Sequence, residues 1–236
     1  EQAKKVLSGA NYFGTMLIKM GIGDCLLGGA TYSTADTVRP ALQIIKTKPG
    51  NKIVSSCFIL VRPSATGDNE LLAMADCAIN INPNAQELAE IAVESAKTAE
   101  LFGIEPNVAM LSFSTKGSAK SEEALKVAEA TKIAQELAPN YNIDGELQFD
   151  AAFVPSVGKQ KAPDSPVAGQ ATVFVFPEIQ SGNIGYKIAQ RFGNFEAIGP
   201  ILQGLNKPIS DLSRGCNEED VYKLAIITAN QALMEN

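Results

Sequence analysis

The chain of 236 residues contains no histidine. This removes the commonest general base, the usual Ser-His-Asp arrangements and most zinc sites. Proton transfer must then fall to Asp, Glu, Lys, Tyr or Cys. Cysteine is sparse: Cys25, Cys57, Cys77 and Cys216 are scattered, with no C-x-x-C and no metal-like spacing. That is the pattern of reduced thiols in a cytosolic protein, not of a disulfide framework. No apolar run approaches the length of a membrane span, and the opening Glu1-Gln2-Ala3-Lys4-Lys5 is not a signal peptide. Long basic stretches are missing as well, and the net charge is −6. A cytoplasmic location with no membrane and no nucleic-acid partner is expected. G-x-G-x-x-G and G-x-x-x-x-G-K are both absent, so neither a Rossmann dinucleotide site nor a Walker A loop is supported.

What is present is an ordinary globular balance, 45% apolar and 19% charged. The length suits one large domain or two smaller ones. Residues 2–20 read as a helix weakened at Ser8-Gly9 and Asn11, and 24–29 as a short strand ending in glycines. A helix over 41–46 stops at Pro49-Gly50. The period then changes. Residues 53–61 and 71–81 read as an antiparallel pair, and 85–102 as a long amphipathic helix. A strand at 108–113, a polar loop at 114–121 and a helix over 122–137 follow. Next come a strand-like 145–154, a loop over 155–169, an apolar central strand at 172–176, a helix over 182–192 and a strand at 197–202. Such alternation predicts α/β layers around a mostly parallel sheet. The change near Pro49-Gly50 suggests one domain built from 1–50 and 203–236, with a second, 51–202, inserted.

Three polar, glycine-bearing loops follow strands, where ligands gather in α/β folds. Gly28 to Arg39 offers glycines, hydroxyls and a guanidinium; alternatively Ser33 or Thr34 is a helix cap and Arg39 lies on a solvated face. Ser112 to Lys120 is a candidate phosphate cradle. Gln180 to Lys187 reads equally as a glycine-softened helix start.

The densest chemistry lies at 211–220, where a hydroxyl, a guanidinium, a glycine, a thiol and four carboxylates precede an apolar-periodic run. Asn217 is a good N-cap there, with Asp220 at N3 as in a capping box. Ser213, Arg214 and the first-turn amides would gather where a helix end attracts anions. A capped surface helix is the alternative reading.

Gly29 to Gln43 resembles a signature segment of the phosphate acetyltransferases (phosphotransacetylases). So do Met110 to Ala119, Asp144 to Phe149, Gly182 to Ala189 and Gly199 to Gly215, in the same order and at similar spacing over nearly the whole chain. The resemblance implies reversible acetyl transfer between coenzyme A and inorganic phosphate, giving acetyl phosphate. It implies two α/β domains with an inter-domain cleft, similar to the isocitrate/isopropylmalate dehydrogenase fold, and a homodimer. Coenzyme A, acetyl phosphate and phosphate would be substrates, with no metal and no tightly held cofactor. Asp220 corresponds to the base that deprotonates the thiol, Arg214 to the arginine that holds the phosphate, and Ser213 to a transition-state stabiliser. Arg39 corresponds to a second anion-binding arginine beside Ser33 and Thr34. Ser114, Lys116 and Asn183 are placed near the substrates. Roughly the first quarter of the family pattern is expected to precede Glu1, and the first domain's sheet to be incomplete without it. Phosphate butyryltransferase and a non-catalytic acetyl-CoA-binding regulatory domain are the alternatives.

Overall fold

The computed structural model describes residues 1–64 and 66–234. In chain order the elements are α1 (Gln2–Leu7), α2 (Ala10–Lys19), β1 (Leu26–Gly29), α3 (Thr34–Pro40), a π-helical turn (Ala41–Ile45), β2 (Ser55–Pro63), β3 (Asn69–Ala75), α4 (Ala85–Leu101), β4 (Asn107–Leu111) and α5 (Glu122–Leu137). They continue with β5 (Asn142–Leu147), α6 (Phe149–Phe153), α7 (Pro155–Lys161), β6 (Val173–Val175), α8 (Ile179–Phe192), β7 (Glu196–Gln203), β8 (Ile209–Leu212) and α9 (Glu218–Met234). The fold is mixed α/β. None of its described helices is long and apolar enough to cross a membrane. The chain separates into two compact units, residues 1–54 with 198–236, and residues 55–197.

In the first unit β1 and β8 form a parallel pair, with Gly28 opposite Asp211 and Gly29 opposite Leu212. Helix α9 packs on β8, and the Thr228 hydroxyl donates to Ser210 Oγ at 2.6 Å. The helix expected over 2–20 breaks at Ser8-Gly9. Gly9 is extended (φ −81, ψ 131) and starts α2, as a residue with little helical preference would.

The second unit is built on the strands β5-β4-β6-β3-β2, adjacent in that order. Strands β5, β4, β6 and β3 are mutually parallel, while β2 pairs antiparallel with β3 from Cys57–Ala75 to Pro63–Asn69. All three residues of β6 are buried, as expected for an apolar strand without alternation. Phe174 is fully buried there, with the Phe149 ring 5.2 Å and the Phe153 ring 6.1 Å from its own. Two expectations fail in this unit. Residues 145–154 are not one strand, because β5 ends at Leu147 and α6 follows, burying Ala151 and Ala152. The loop expected over 155–169 begins as α7 with Pro155 at its first position, where a missing N–H costs nothing.

Candidate active site

Parallel pairing fixes what the first unit brings together. Because Gly29 lies opposite Leu212, the loops leaving β1 and β8 start at the same level. The Ala30 N–H donates to the Leu212 carbonyl at 2.9 Å, tying them at the root. Gly29 is obligatory at that root. It sits at φ +89, and a Cβ there would collide with the Leu212 backbone. One loop then leads to Ser33, Thr34 and Arg39 on α3, the other to Ser213, Arg214 and Asp220 at the start of α9.

The turn after β8 is closed by the Cys216 N–H to the Ser213 carbonyl, 3.1 Å, and the Gly215 N–H to Ser213 Oγ, 3.2 Å. Asn217 and Asp220 then cap α9 reciprocally. The Asp220 N–H donates to Asn217 Oδ1 at 2.9 Å and the Asn217 N–H to Asp220 Oδ2 at 3.0 Å. The capping box therefore holds Asp220 through one oxygen. Ser213, Arg214 and Asp220 are all exposed, and Arg214 has no ion pair among the described residues. A fixed carboxylate, a free guanidinium and a hydroxyl thus face solvent from one turn.

On α3, Ser33 is the N-cap. Its Oγ accepts the Asp36 N–H at 3.2 Å and donates to Asp36 Oδ2 at 2.7 Å. Arg39 reaches Asp36 Oδ1 at 3.5 Å, an exposed pair of little energetic weight. Thr34 opens the helix and is exposed.

Ser114, Lys116 and Asn183 belong to the second unit, where each has a protein partner. Ser114 is fully buried and donates to Glu146 Oε1 at 2.8 Å. The same oxygen accepts the Gly117 N–H at 2.6 Å. The Ala119 N–H goes to Ser114 Oγ, the Thr115 N–H to Ser118 Oγ and the Lys116 N–H to the Glu146 carbonyl. Within this loop the Ser114 hydroxyl and the Gly117 amide both meet the Glu146 carboxylate. Glu146→Ala should therefore strand a buried hydroxyl and an amide and destabilise this unit by about 1–3 kcal/mol, read by urea unfolding. Lys116 Nζ pairs with Asp144 and donates to the Gly145 carbonyl at 2.9 Å. Asn183 donates from Nδ2 to the Cys77 carbonyl at 3.0 Å.

Other acids of this unit are engaged in the same way. Asp76 is buried; it accepts the Ser56 hydroxyl and the amides of Ala78, Ile79 and Asn80. Glu178 caps α8. Burial alone would raise its pKa, but bonds from Ser181 and Gln180 and the nearby Lys126 hold it below the ordinary value. Lys126 is itself lowered by burial, with Glu178 and Glu123 opposing. Burial pushes the Cys57 thiol up to about 12, with Asp76 adding to the effect and a bond from Met74 opposing it. Among the described residues all four cysteines are free and no cluster of acids and thiols could hold a metal ion.

Sequence reading missed two acids. Strand β8 is only four residues long and half polar, so Asp211 was not recognised as a buried strand residue. Glu146 sits inside a strand, and an acid between apolar neighbours was the available signal.

Residues 1–229 match the family described as phosphate acetyl/butaryl transferase. The chain belongs to that family of acyltransferases. Phosphate acetyltransferase from Bacillus subtilis is 67% identical over 233 residues, covering 99% of this chain and 71% of the relative. The Staphylococcus epidermidis phosphate acetyltransferase is 59% identical over 238 residues, with the same two coverages. A phosphotransacetylase structure from Streptococcus pyogenes superposes with a TM-score of 0.96 at 64% identity, covering 99% of this chain and 70% of that one. A branched-chain phosphotransacylase from Enterococcus faecalis V583 shares the fold, with a TM-score of 0.74 at 23% identity, covering 94% of this chain and 78% of that one.

Proposed function

We propose that this chain is a phosphate acetyltransferase, moving an acetyl group reversibly between coenzyme A and inorganic phosphate. The observation that carries the reading is the 67% identity to a phosphate acetyltransferase across 99% of the chain. In the direction of acetyl-CoA formation, the thiol gives its proton to Asp220 as sulfur attacks the carbonyl carbon of acetyl phosphate. The C–S bond forms, the C–O bond to phosphate breaks, and phosphate leaves. A free thiol with a pKa of about 8.5 is mostly protonated at neutral pH, so an oriented carboxylate acts where it is needed. Arg214 carries the charge of the leaving phosphate without changing its own protonation. The Ser213 hydroxyl donates to the oxygen that becomes negative. Arg39, with Ser33 and Thr34 beside it, is assigned to a second anionic group of the substrates.

Coenzyme A is a substrate in this reading, and neither a metal nor a resident cofactor takes part. Ser114, Lys116 and Asn183 are assigned places near the substrates in the same reading. The isocitrate/isopropylmalate dehydrogenase-like architecture, the homodimer and the cytoplasmic location belong to the same proposal. Helix α8 offers an apolar stripe, Ile184, Ile188 and Phe192, as the kind of face a second copy would cover.

Arsenate tests the assignment, because acetyl arsenate hydrolyses and drains acetyl-CoA. Arsenate-dependent loss of acetyl-CoA should fall at least about 100-fold in Arg214→Gln, in line with removal of a charge-stabilising donor. Unchanged turnover in that variant would sink the assignment. Comparing acetyl with butyryl phosphate separates the acetyl from the butyryl enzyme.

A further inference from the structure

We propose that Asp211 is a positioning residue for the phosphate-binding turn, holding one edge of the Arg214 guanidinium while the other edge faces the phosphoryl group. The inference rests on the function proposed above and extends it to a residue with no assigned role.

Asp211 is a β8 residue only 2% exposed, and its Oδ1 has no hydrogen-bond partner among the described residues. A buried carboxylate in that state is unfavourable, because it has lost water without gaining a donor. Other buried acids have donors: Asp76 accepts amides on both oxygens, and Glu146 Oε1 accepts a hydroxyl and an amide. Asp211 is the exception, and it lies three residues before Arg214, a guanidinium without an ion pair of its own. Arg39, the other arginine of this site, already has Asp36.

Opposite Asp211 in the pair stands Gly28, and next to it Gly29, where an added Cβ would lie 2.7 Å from Asp211 Oδ1. The carboxylate is thus flanked by glycine backbone instead of side chains. A guanidinium has five N–H donors in a planar fork, enough to serve a carboxylate and a phosphate at once. A substrate phosphate would draw the Arg214 side chain over the turn, and Asp211 would then fix the plane of the fork. Lysine, with one point charge and no fork, cannot take both edges.

Steady-state kinetics on the full chain, varying acetyl phosphate at saturating coenzyme A, test this. Asp211→Asn keeps the shape and removes the charge. It should raise KM for acetyl phosphate by about tenfold, while KM for coenzyme A and the melting temperature stay near wild type. In an Arg214→Lys background the same substitution should change KM for acetyl phosphate by less than about twofold, because the fork it acts through is gone. An unchanged KM in Asp211→Asn, or an equal rise in both backgrounds, overturns the proposal. Should Asp211→Asn fail to fold, Asp211→Ser carries the test: a KM for acetyl phosphate within about twofold of wild type, or an equal rise in the Arg214→Lys background, overturns it equally. A folded wild type that transfers no acetyl group overturns the function itself, whereas an active wild type with an indifferent Asp211 overturns only this inference.

Discussion

Asp220→Asn is expected to lower kcat by about 10²–10⁴-fold while leaving the fold intact, because it separates the two jobs of that residue. Asparagine retains an oxygen for the Asn217 N–H, so the reciprocal bonds that start α9 can persist. It cannot accept the thiol proton. Asp220→Ala removes both functions and should add about 1 kcal/mol of destabilisation to the same catalytic loss. Turnover measured alongside thermal unfolding distinguishes the two variants. If Asp220→Asn keeps wild-type turnover, the base lies elsewhere and Asp220 is only a cap. The free oxygen outside the capping box is where the thiol would meet it.

The largest expected effect on stability comes from the second unit. Phe174→Ala should cost about 3–5 kcal/mol, read by urea denaturation of the full chain. The side chain is fully buried in the three-residue strand β6, and the rings of Phe149 and Phe153 rest against it from α6. With large rings on that side, neighbouring side chains have little freedom to collapse into the space. A loss below about 1 kcal/mol would mean that the core refills the cavity. Activity measured where the variant remains folded should be much less affected than in Asp220→Asn.

Local signals were legible and distant ones were not. Asn217 and Asp220 could be read as a cap because both partners lie within one turn of each other. The uninterrupted apolar run around Phe174 likewise announced a central strand. Residues 145–154 were misread because their β-rich character covers two elements. Leu147 completes the ladder with β4, and the Asp150–Ala152 segment turns into a helix whose alanines fit a tight contact. Nothing within the Ser112 to Lys120 loop signals that Glu146, distant in sequence, takes the Ser114 hydroxyl and the Gly117 amide. Strand β8 was hidden for a related reason. Ser210 and Asp211 are polar yet buried, and only the partner elements β1 and α9 make that placement intelligible.

The reciprocal cap at the start of α9 limits which residues can be exchanged near the proposed chemistry. Asn217 touches no substrate in the proposed reaction, yet its backbone N–H anchors the carboxylate of Asp220 and its side chain anchors the Asp220 amide. Drift at position 217 is therefore confined to Asp, Ser and Thr, the other side chains able to accept that amide. Surface changes elsewhere on the exposed face of α9 leave the carboxylate's position untouched, because main-chain atoms hold it. The fold thus permits neutral variation along most of that face while restricting one inconspicuous asparagine to the few side chains that can cap the helix.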